Sequence, residues 1–330
     1  MGGRIVMNSK NTRRIVSISL IAVLCVIFGV TTDSFVSVRN IIQLFRQAAF
    51  SGLAACGICF VMVGGGIDLS IGGAICIVGV AVARFSQISG MPGFVVVLVG
   101  ILAGALCGLF NGVVVTKLHL TEFVTTLASG AVFTGLSLLT TFRERGRIVS
   151  VTLTNKGFLA FGKPVGQIYV IIIAWVILTI IMQFIMSSTR FGLHVMATGS
   201  HSKSADMSGV NIIRTKIITF IISGAFAGVA ATLLVAYQTG TNQALGNMAE
   251  FNAIAACVVG GVVLGGGKGD PISAFLGALF MTLITNGLYK WGLDTGSTFV
   301  MQGIVILLAM NFDSQLNRVS LKRLESRGRI

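Results

Sequence analysis

Marking every charged residue divides the chain into long apolar runs. About ten of them are candidates for helices that cross the roughly 30 Å of bilayer hydrocarbon. They lie near 15–32, 44–64, 69–84, 93–115, 121–142, 167–186, 217–237, 251–265, 272–289 and 298–312. Charged residues gather at the ends of these runs, and Pro92, Pro164 and Pro271 sit at run edges, where a missing N–H disturbs no helix interior. The pattern predicts an all-α, polytopic integral membrane helical bundle of about ten transmembrane helices, some broken or short, with 1–330 forming one transmembrane domain.

Composition agrees. Only 10% of residues are charged and 54% are hydrophobic, which excludes a water-soluble globular protein. The 42 glycines come with only 3 prolines and lie inside apolar runs, as close helix contact requires, so low-complexity disorder is excluded as well. An excess of 24 Lys+Arg over 10 Asp+Glu raises the question of nucleic acid, but bases gathered at run ends mark a membrane protein with no nucleic-acid partner. An even number of spans puts both termini on one side. Placing that side in the cytoplasm puts Arg4, Lys10, Arg13, Arg14, Arg190, Lys203, Arg214 and Lys216 inside, which follows the positive-inside rule. The strain is the basic stretch Arg143 to Lys163, which falls outside. Tyr169, Tyr237, Tyr289 and Trp291 fall at outer run ends as an aromatic belt, with Trp175 the exception. The N-terminal basic and apolar stretch lacks a small-residue cleavage site and is expected to be an uncleaved first span. Cys56 and Cys59 have redox spacing but apolar flanks, and are expected to be small packing residues.

Three stretches interrupt the apolar pattern. Gly64-Gly65-Gly66-Ile67-Asp68-Leu69-Ser70 is either a tight surface turn or a helix break that lines a wet cavity, with Asp68 and Ser70 capping the helix that begins near Leu69. A second triple-glycine break, Gly265-Gly266-Gly267-Lys268-Gly269-Asp270, fails as a phosphate loop, because Val262 and Gly269 stand where glycine and a hydroxyl residue are required. Its likeness to the first break leaves a shared origin of the two halves open. The longest inner loop, 190–210, has room for a docking helix: Ser200 or Ser202 could cap it and Gly209 end it, leaving Ala205, Met207 and Val210 as contacts. His194 and His201 lack an obvious third ligand, so no metal site is expected.

All ten carboxylates lie at or near run ends, which disfavours a proton-coupled carrier, and no nucleophile, base or metal constellation of an enzyme is present. Mid-run polar groups, Asn111, Thr125, Thr126, Ser129, Asn252 and Asn286, could offer hydroxyl and amide contacts to a neutral polyol or simply pack between helices.

Together these pieces resemble, in order along nearly the whole chain, the permease subunits of sugar-type ABC importers, the ribose permease family. The resemblance rests on Ser34-Phe35-Val36-Ser37-Val38-Arg39-Asn40-Ile41, Gly65-Gly66-Ile67-Asp68-Leu69-Ser70-Ile71-Gly72, Glu122-Phe123-Val124-Thr125-Thr126-Leu127, Ser208-Gly209-Val210-Asn211, Asn252-Ala253-Ile254-Ala255-Ala256, Gly265-Gly266-Gly267-Lys268-Gly269 and Asn286-Gly287-Leu288. It implies a multi-pass subunit of the bacterial inner membrane that pairs with a second permease, identical or paralogous. It also implies a cytoplasmic ATP-binding subunit and an extracytoplasmic solute-binding protein as partners, with ATP and Mg held by the ATPase and no cofactor in this chain. On that reading Asp68, Ser70, Asn111, Thr125, Thr126, Ser129, Asn252 and Asn286 belong to the pathway of a neutral monosaccharide, and Ser200, His201, Lys203, Ala205, Asp206, Met207 and Gly209 to the ATPase-coupling loop. Thr121-Glu122, His201 and Asn252 depart from the residues usual in the family and bear on which sugar is carried. The runner-up is an ion-coupled secondary transporter.

Overall fold

A computed structural model describes residues 9–141, 143–144, 147–148, 151–241, 245–305 and 307. Twelve α-helices run in chain order: α1 Ser9–Thr31, α2 Val38–Val63, α3 Ile71–Ser86, α4 Gly93–Lys117, α5 Glu122–Thr140, α6 Lys156–Leu159, α7 Val170–Ser188, α8 Arg190–Ser200, α9 Ser202–Met207, α10 Ile212–Gln238, α11 Ala249–Gly260 and α12 Pro271–Lys290. Helical residues follow again at 295–305. Seven of these helices, α1, α2, α4, α5, α7, α10 and α12, are long and apolar enough to cross a membrane. Two expected spans are shorter, α3 at 16 residues and α11 at 12, and each follows a loop that breaks the helical path. The end of the expected span 298–312 lies outside the described residues.

The helix starts follow their side chains. Ser37 Oγ accepts from Asn40 N at 3.3 Å at the start of α2, and Asn211 Oδ1 from Arg214 N at 2.9 Å at the start of α10. Pro271 opens α12, and Asp270 Oδ1 accepts from Ser273 N at 2.9 Å.

The core is built on α2, which is buried for most of its length against α10, α12, α11 and α7. α10 is the second internal helix and makes its most extensive contact with α4. That seam is lined by small residues: Gly100, Gly104 and Gly108 of α4 meet Thr232, Gly228, Gly224 and Phe220 of α10 so closely that a Cβ on any of the three would strike it. Recurrence every four residues keeps these glycines on one face, the arrangement by which helices approach in lipid, where packing rather than water expulsion drives association. Trp175, the exception to the aromatic belt, is fully buried, stacked on Phe275 at 3.9 Å over the surface of Gly52. Cys56 and Cys59 lie buried in α2, and Cys257 of α11 donates its thiol to Ala55 O. The outward faces of α1, α4, α5 and α7 are large apolar side chains, as lipid demands.

The contacts separate two ends. One carries the ion pairs Arg14–Asp270 and Glu122–Lys216 and the two glycine breaks. The other carries the bonds Trp291 to Thr31, Lys290 to Ser34 and Arg84 to Thr140, together with the Tyr169–Tyr237 pair. The charge pattern of the sequence likewise assigns these two groups to opposite sides of the membrane. The basic stretch Arg143 to Lys163 adds no span among its described residues. It contributes two-residue β ladders, Arg143–Glu144 with Arg147–Ile148 and Val151–Thr152 with Gly240–Thr241, and the single turn α6, whose Phe158 is buried. Asn155 Nδ2 donates to Met91 O at 2.9 Å, tying this cap to the start of α4.

Candidate functional site

α2 ends where Gly64-Gly65-Gly66 leaves the helix, Gly65 taking φ +86°. The positive φ favours glycine here and the packing is close as well: Gly65 lies against Gly199 at the end of α8, and Gly266 of the other break lies so close to both that a Cβ on it would strike their backbone. Gly267 N donates to Val63 O at 2.8 Å, so the second break satisfies a terminal carbonyl of α2. The two triple-glycine stretches and α8 thus meet at one point.

Beyond Gly66 the chain stays non-helical until Ile71 and is held by side chains. Thr126 Oγ1 of α5 accepts from Leu69 N at 3.0 Å and lies 2.8 Å from Glu122 O, to which it can donate. Asp68 is buried. Its Oδ1 accepts from Ser70 N at 3.0 Å and Ser70 Oγ at 2.6 Å, and its Oδ2 from Ser223 Oγ of α10 at 2.7 Å. Asn111 Nδ2 of α4 donates to Ser70 Oγ at 2.6 Å. A carboxylate taken out of water is costly unless donors surround it, and this one is met by three. Asp68 therefore closes a turn over Ser70 and ties the break to α10. The expected cap on a helix beginning near Leu69 is corrected, because α3 begins two residues later and Ser70 caps it with no side-chain bond. Asp270 ends the second break in the same way: Oδ1 accepts from Ser273 N and Oγ, and Oδ2 pairs with Arg14 at 2.7 Å.

Asp68, Ser70, Asn111 and Thr126 thus form one buried junction, with Ser129 beside it donating to Thr126 O at 3.2 Å. Thr125 is buried on α5, and its hydroxyl finds no partner among the described residues. Asn252 is half-buried in α11, and Asn286 exchanges amide bonds with Asn40 of α2 at 3.1 and 3.3 Å, so these two lie apart from the junction. Sequence reasoning missed Ser223, whose only signal was a serine beside Gly224 in an apolar run, and Lys216 as the partner of Glu122.

Two cavities flank the junction. One of about 520 Å³ lies between Gly65-Gly66, the α4–α5 turn and the start of α10, with Glu122 and Lys216 in its wall. The departure Thr121-Glu122 from the family pattern lines this space. The other, of about 270 Å³, lies between Gly72-Gly73 of α3, Thr134 of α5 and Gly246 to Glu250 at the start of α11.

The 190–210 segment forms two short helices. Thr189 Oγ1 caps α8 by accepting from Gly192 N. His201, in the cap position before α9, makes no side-chain cap bond, and Ser200 Oγ instead donates back to Met196 O, which corrects the expectation of a serine cap. Gly209, at φ +83°, ends α9 with its N–H on Asp206 O, while Val210 N reaches Ala205 O. Ser200, His201, Ser202, Lys203, Asp206 and Met207 are exposed, Met207 at 83%. Ala205, at 5%, and Val210 face inward, so neither is a surface contact as the sequence suggested.

Residues 40–310 match the family described as branched-chain amino acid transport system / permease component. Among curated relatives, the ribose import permease of Bacillus subtilis is 34% identical over 297 residues, covering 88% of this chain and 89% of its own length. The ribose import permease of Escherichia coli K12 is 30% identical, covering 90% and 93%. The xylose transport system permease of Haemophilus influenzae is 28% identical, covering 93% and 98%. No solved structure matches the chain. With its motifs in order, a family match over most of its length and full-length likeness to ribose permeases, this chain belongs to the permease-component family and is a permease of the sugar-type ABC importers.

Proposed function

We propose that this chain forms the membrane pathway for a neutral monosaccharide, driven by a separate cytoplasmic ATPase that holds ATP and Mg and fed by an extracytoplasmic solute-binding protein. It works beside a second permease subunit, identical or paralogous, and catalyses no reaction itself. Seven long helices, the shorter α3 and α11 and the helix at 295–305 make up ten membrane-embedded elements, with both termini in the cytoplasm. The observation that carries the reading is the contact of α8 with both glycine breaks. Gly199 sits on Gly65 and Gly266, so displacing the exposed α8–α9 pair bears directly on the junction that holds Asp68 and Ser70 and on the cavity beneath it. That linkage suits an importer pushed from outside the chain better than an ion-coupled carrier. The cavity wall also favours a neutral solute, because its carboxylate and ammonium, Glu122 and Lys216, neutralise each other. The test is uptake by the complex reconstituted in vesicles with ATP inside, comparing labelled ribose and xylose with leucine and an organic anion. ATP-dependent uptake of a monosaccharide is expected. Uptake of charged solutes alone, or uptake driven by an ion gradient without the ATPase, overturns the proposal.

A further inference from the structure

At the end of the molecule opposite the glycine breaks, three helices build a small amphipathic crevice that the transport reading does not use. Its floor is α2 and its walls are α7 and α10, and it encloses about 160 Å³ between Arg46, Gln47, Phe50, Ile171, Leu234 and Tyr237. Tyr169 closes the rim as the residue before α7, its ring edge-on to Tyr237 at 5.5 Å, and the Arg46 guanidinium sits over Tyr237 at 4.0 Å and Tyr169 at 5.9 Å.

Arg46 is a permanent cation with five donors, and its Nε is buried without a hydrogen-bond partner among the described residues. Aromatic faces attract the charge but accept none of its N–H groups conventionally, so the fork has unused directed donors. The depth of each lining residue is ordered as well. α2 enters the membrane from this end and places Arg46 outermost and Phe50 one turn deeper. α10 leaves at this end, with Tyr237 outermost and Leu234 about one turn deeper. Charge and hydroxyl therefore stand at the level where α7 and α10 terminate, with Ile171 in the first turn of α7, and Phe50 and Leu234 lie toward the bilayer. On α7 only the buried Ile171 lines the crevice, while the exposed Ile173, Ile177 and Ile181 lie on a different face of the helix. An anion on Arg46 joined to an apolar tail would meet Phe50, Ile171 and Leu234 within the crevice itself.

We propose that this crevice binds the phosphodiester of a membrane phospholipid, with Arg46 and Gln47 holding the phosphate oxygens and Phe50, Ile171 and Leu234 the first methylenes of an acyl chain. Guanidinium suits the bidentate geometry of phosphate, and a basic pocket between transmembrane helices recognises headgroups by this chemistry.

The experiment is native mass spectrometry of the full-length protein, delipidated in detergent and titrated with dioleoyl phosphatidylglycerol, with dioleoylglycerol as the phosphate-free control. Saturable retention of the phospholipid and not of the diglyceride is expected. Arg46→Gln should weaken retention at least about tenfold, the equivalent of one charge-assisted hydrogen bond in a partly dry site. Leu234→Phe fills the apolar side, keeps the charge and should weaken it as well, so the site remains testable if Arg46→Gln fails to fold. Equal retention of the diglyceride, unchanged retention in both folded variants, or displacement by millimolar inorganic phosphate or ribose would each overturn the proposal.

Discussion

Asp68 carries more structural consequence than any other polar side chain near the break, because its three donors come from the turn itself and from α10. Asn at this position keeps an oxygen for Ser70 N, and Ser223, whose hydroxyl can rotate to accept, takes up the new amide hydrogen. Ala removes the acceptor from a buried N–H and two hydroxyls, those of Ser70 and Ser223. Hydrogen bonds to charged groups contribute about 1.5–3 kcal/mol each. Asp68→Ala should therefore lower the melting temperature of the purified protein clearly more than Asp68→Asn, with Ser223→Ala between them. Equal losses in the two Asp68 variants would show that the charge itself, rather than its bonding geometry, holds the break. At this scale the sequence was legible where a residue stands out against its neighbours. An aspartate after three glycines in an apolar chain announces a constraint, whereas Ser223 beside Gly224 reads as one more small residue in a helix seam. Only the approach of α10 to the break, a contact across 155 residues, turns it into a ligand of the carboxylate.

Among elements, the apolar runs foretold the helices because lipid enforces one rule, that every backbone group be satisfied within a segment. The rule gives position better than exact ends: α3 has the length of its expected run but starts two residues later, and α11 stops at Gly260, short of its expected end, because glycine breaks, caps and tertiary bonds decide where backbone groups find partners. The β ladders at the end opposite the glycine breaks were not legible, since Val151–Thr152 pairs with Gly240–Thr241 from the far side of five helices, α6 to α10, and no local pattern marks either strand. The α4–α10 seam makes the sharper prediction. At Gly104 a Cβ would meet Gly224 O and Gly228, both backbone and unable to swing away, whereas at Gly135 of α5 nothing lies within 4 Å. Gly104→Val must separate α4 from the largely buried α10, and overpacking of this kind costs about 1–3 kcal/mol or more. Monodisperse yield on size-exclusion chromatography should fall severely for Gly104→Val and stay near wild type for Gly135→Ala. A well-folded Gly104→Val protein would mean that the two helices tolerate a wider separation than the seam implies.

For the whole molecule, the question is whether the end bearing α8, α9 and both glycine breaks is the cytoplasmic, ATPase-facing end. Ser204 is exposed on α9, and Ser89 is exposed between α3 and α4 at the opposite end. With Cys25, the one exposed native cysteine, replaced by serine, an impermeant maleimide should label Ser204→Cys only from the cytoplasmic side and Ser89→Cys only from outside. The reverse pattern would invert the topology and remove the docking role of α9. Given the expected sidedness, the two apolar residues of α9 separate coupling from folding. Met207 projects outward at 83% exposure, so Met207→Asp leaves the isolated chain intact and places an unpaired charge on the docking face, a loss on the order of 2–5 kcal/mol if the partner buries it. Ala205 faces inward, so Ala205→Asp buries the charge within the permease and should lower its melting temperature. The expected result for Met207→Asp is normal insertion and melting, loss of co-purifying ATPase and loss of ATP-driven uptake. If Met207→Asp retains both the ATPase and uptake, the contact surface is not α9, and the force that moves the glycine junction must enter through another part of the inner face.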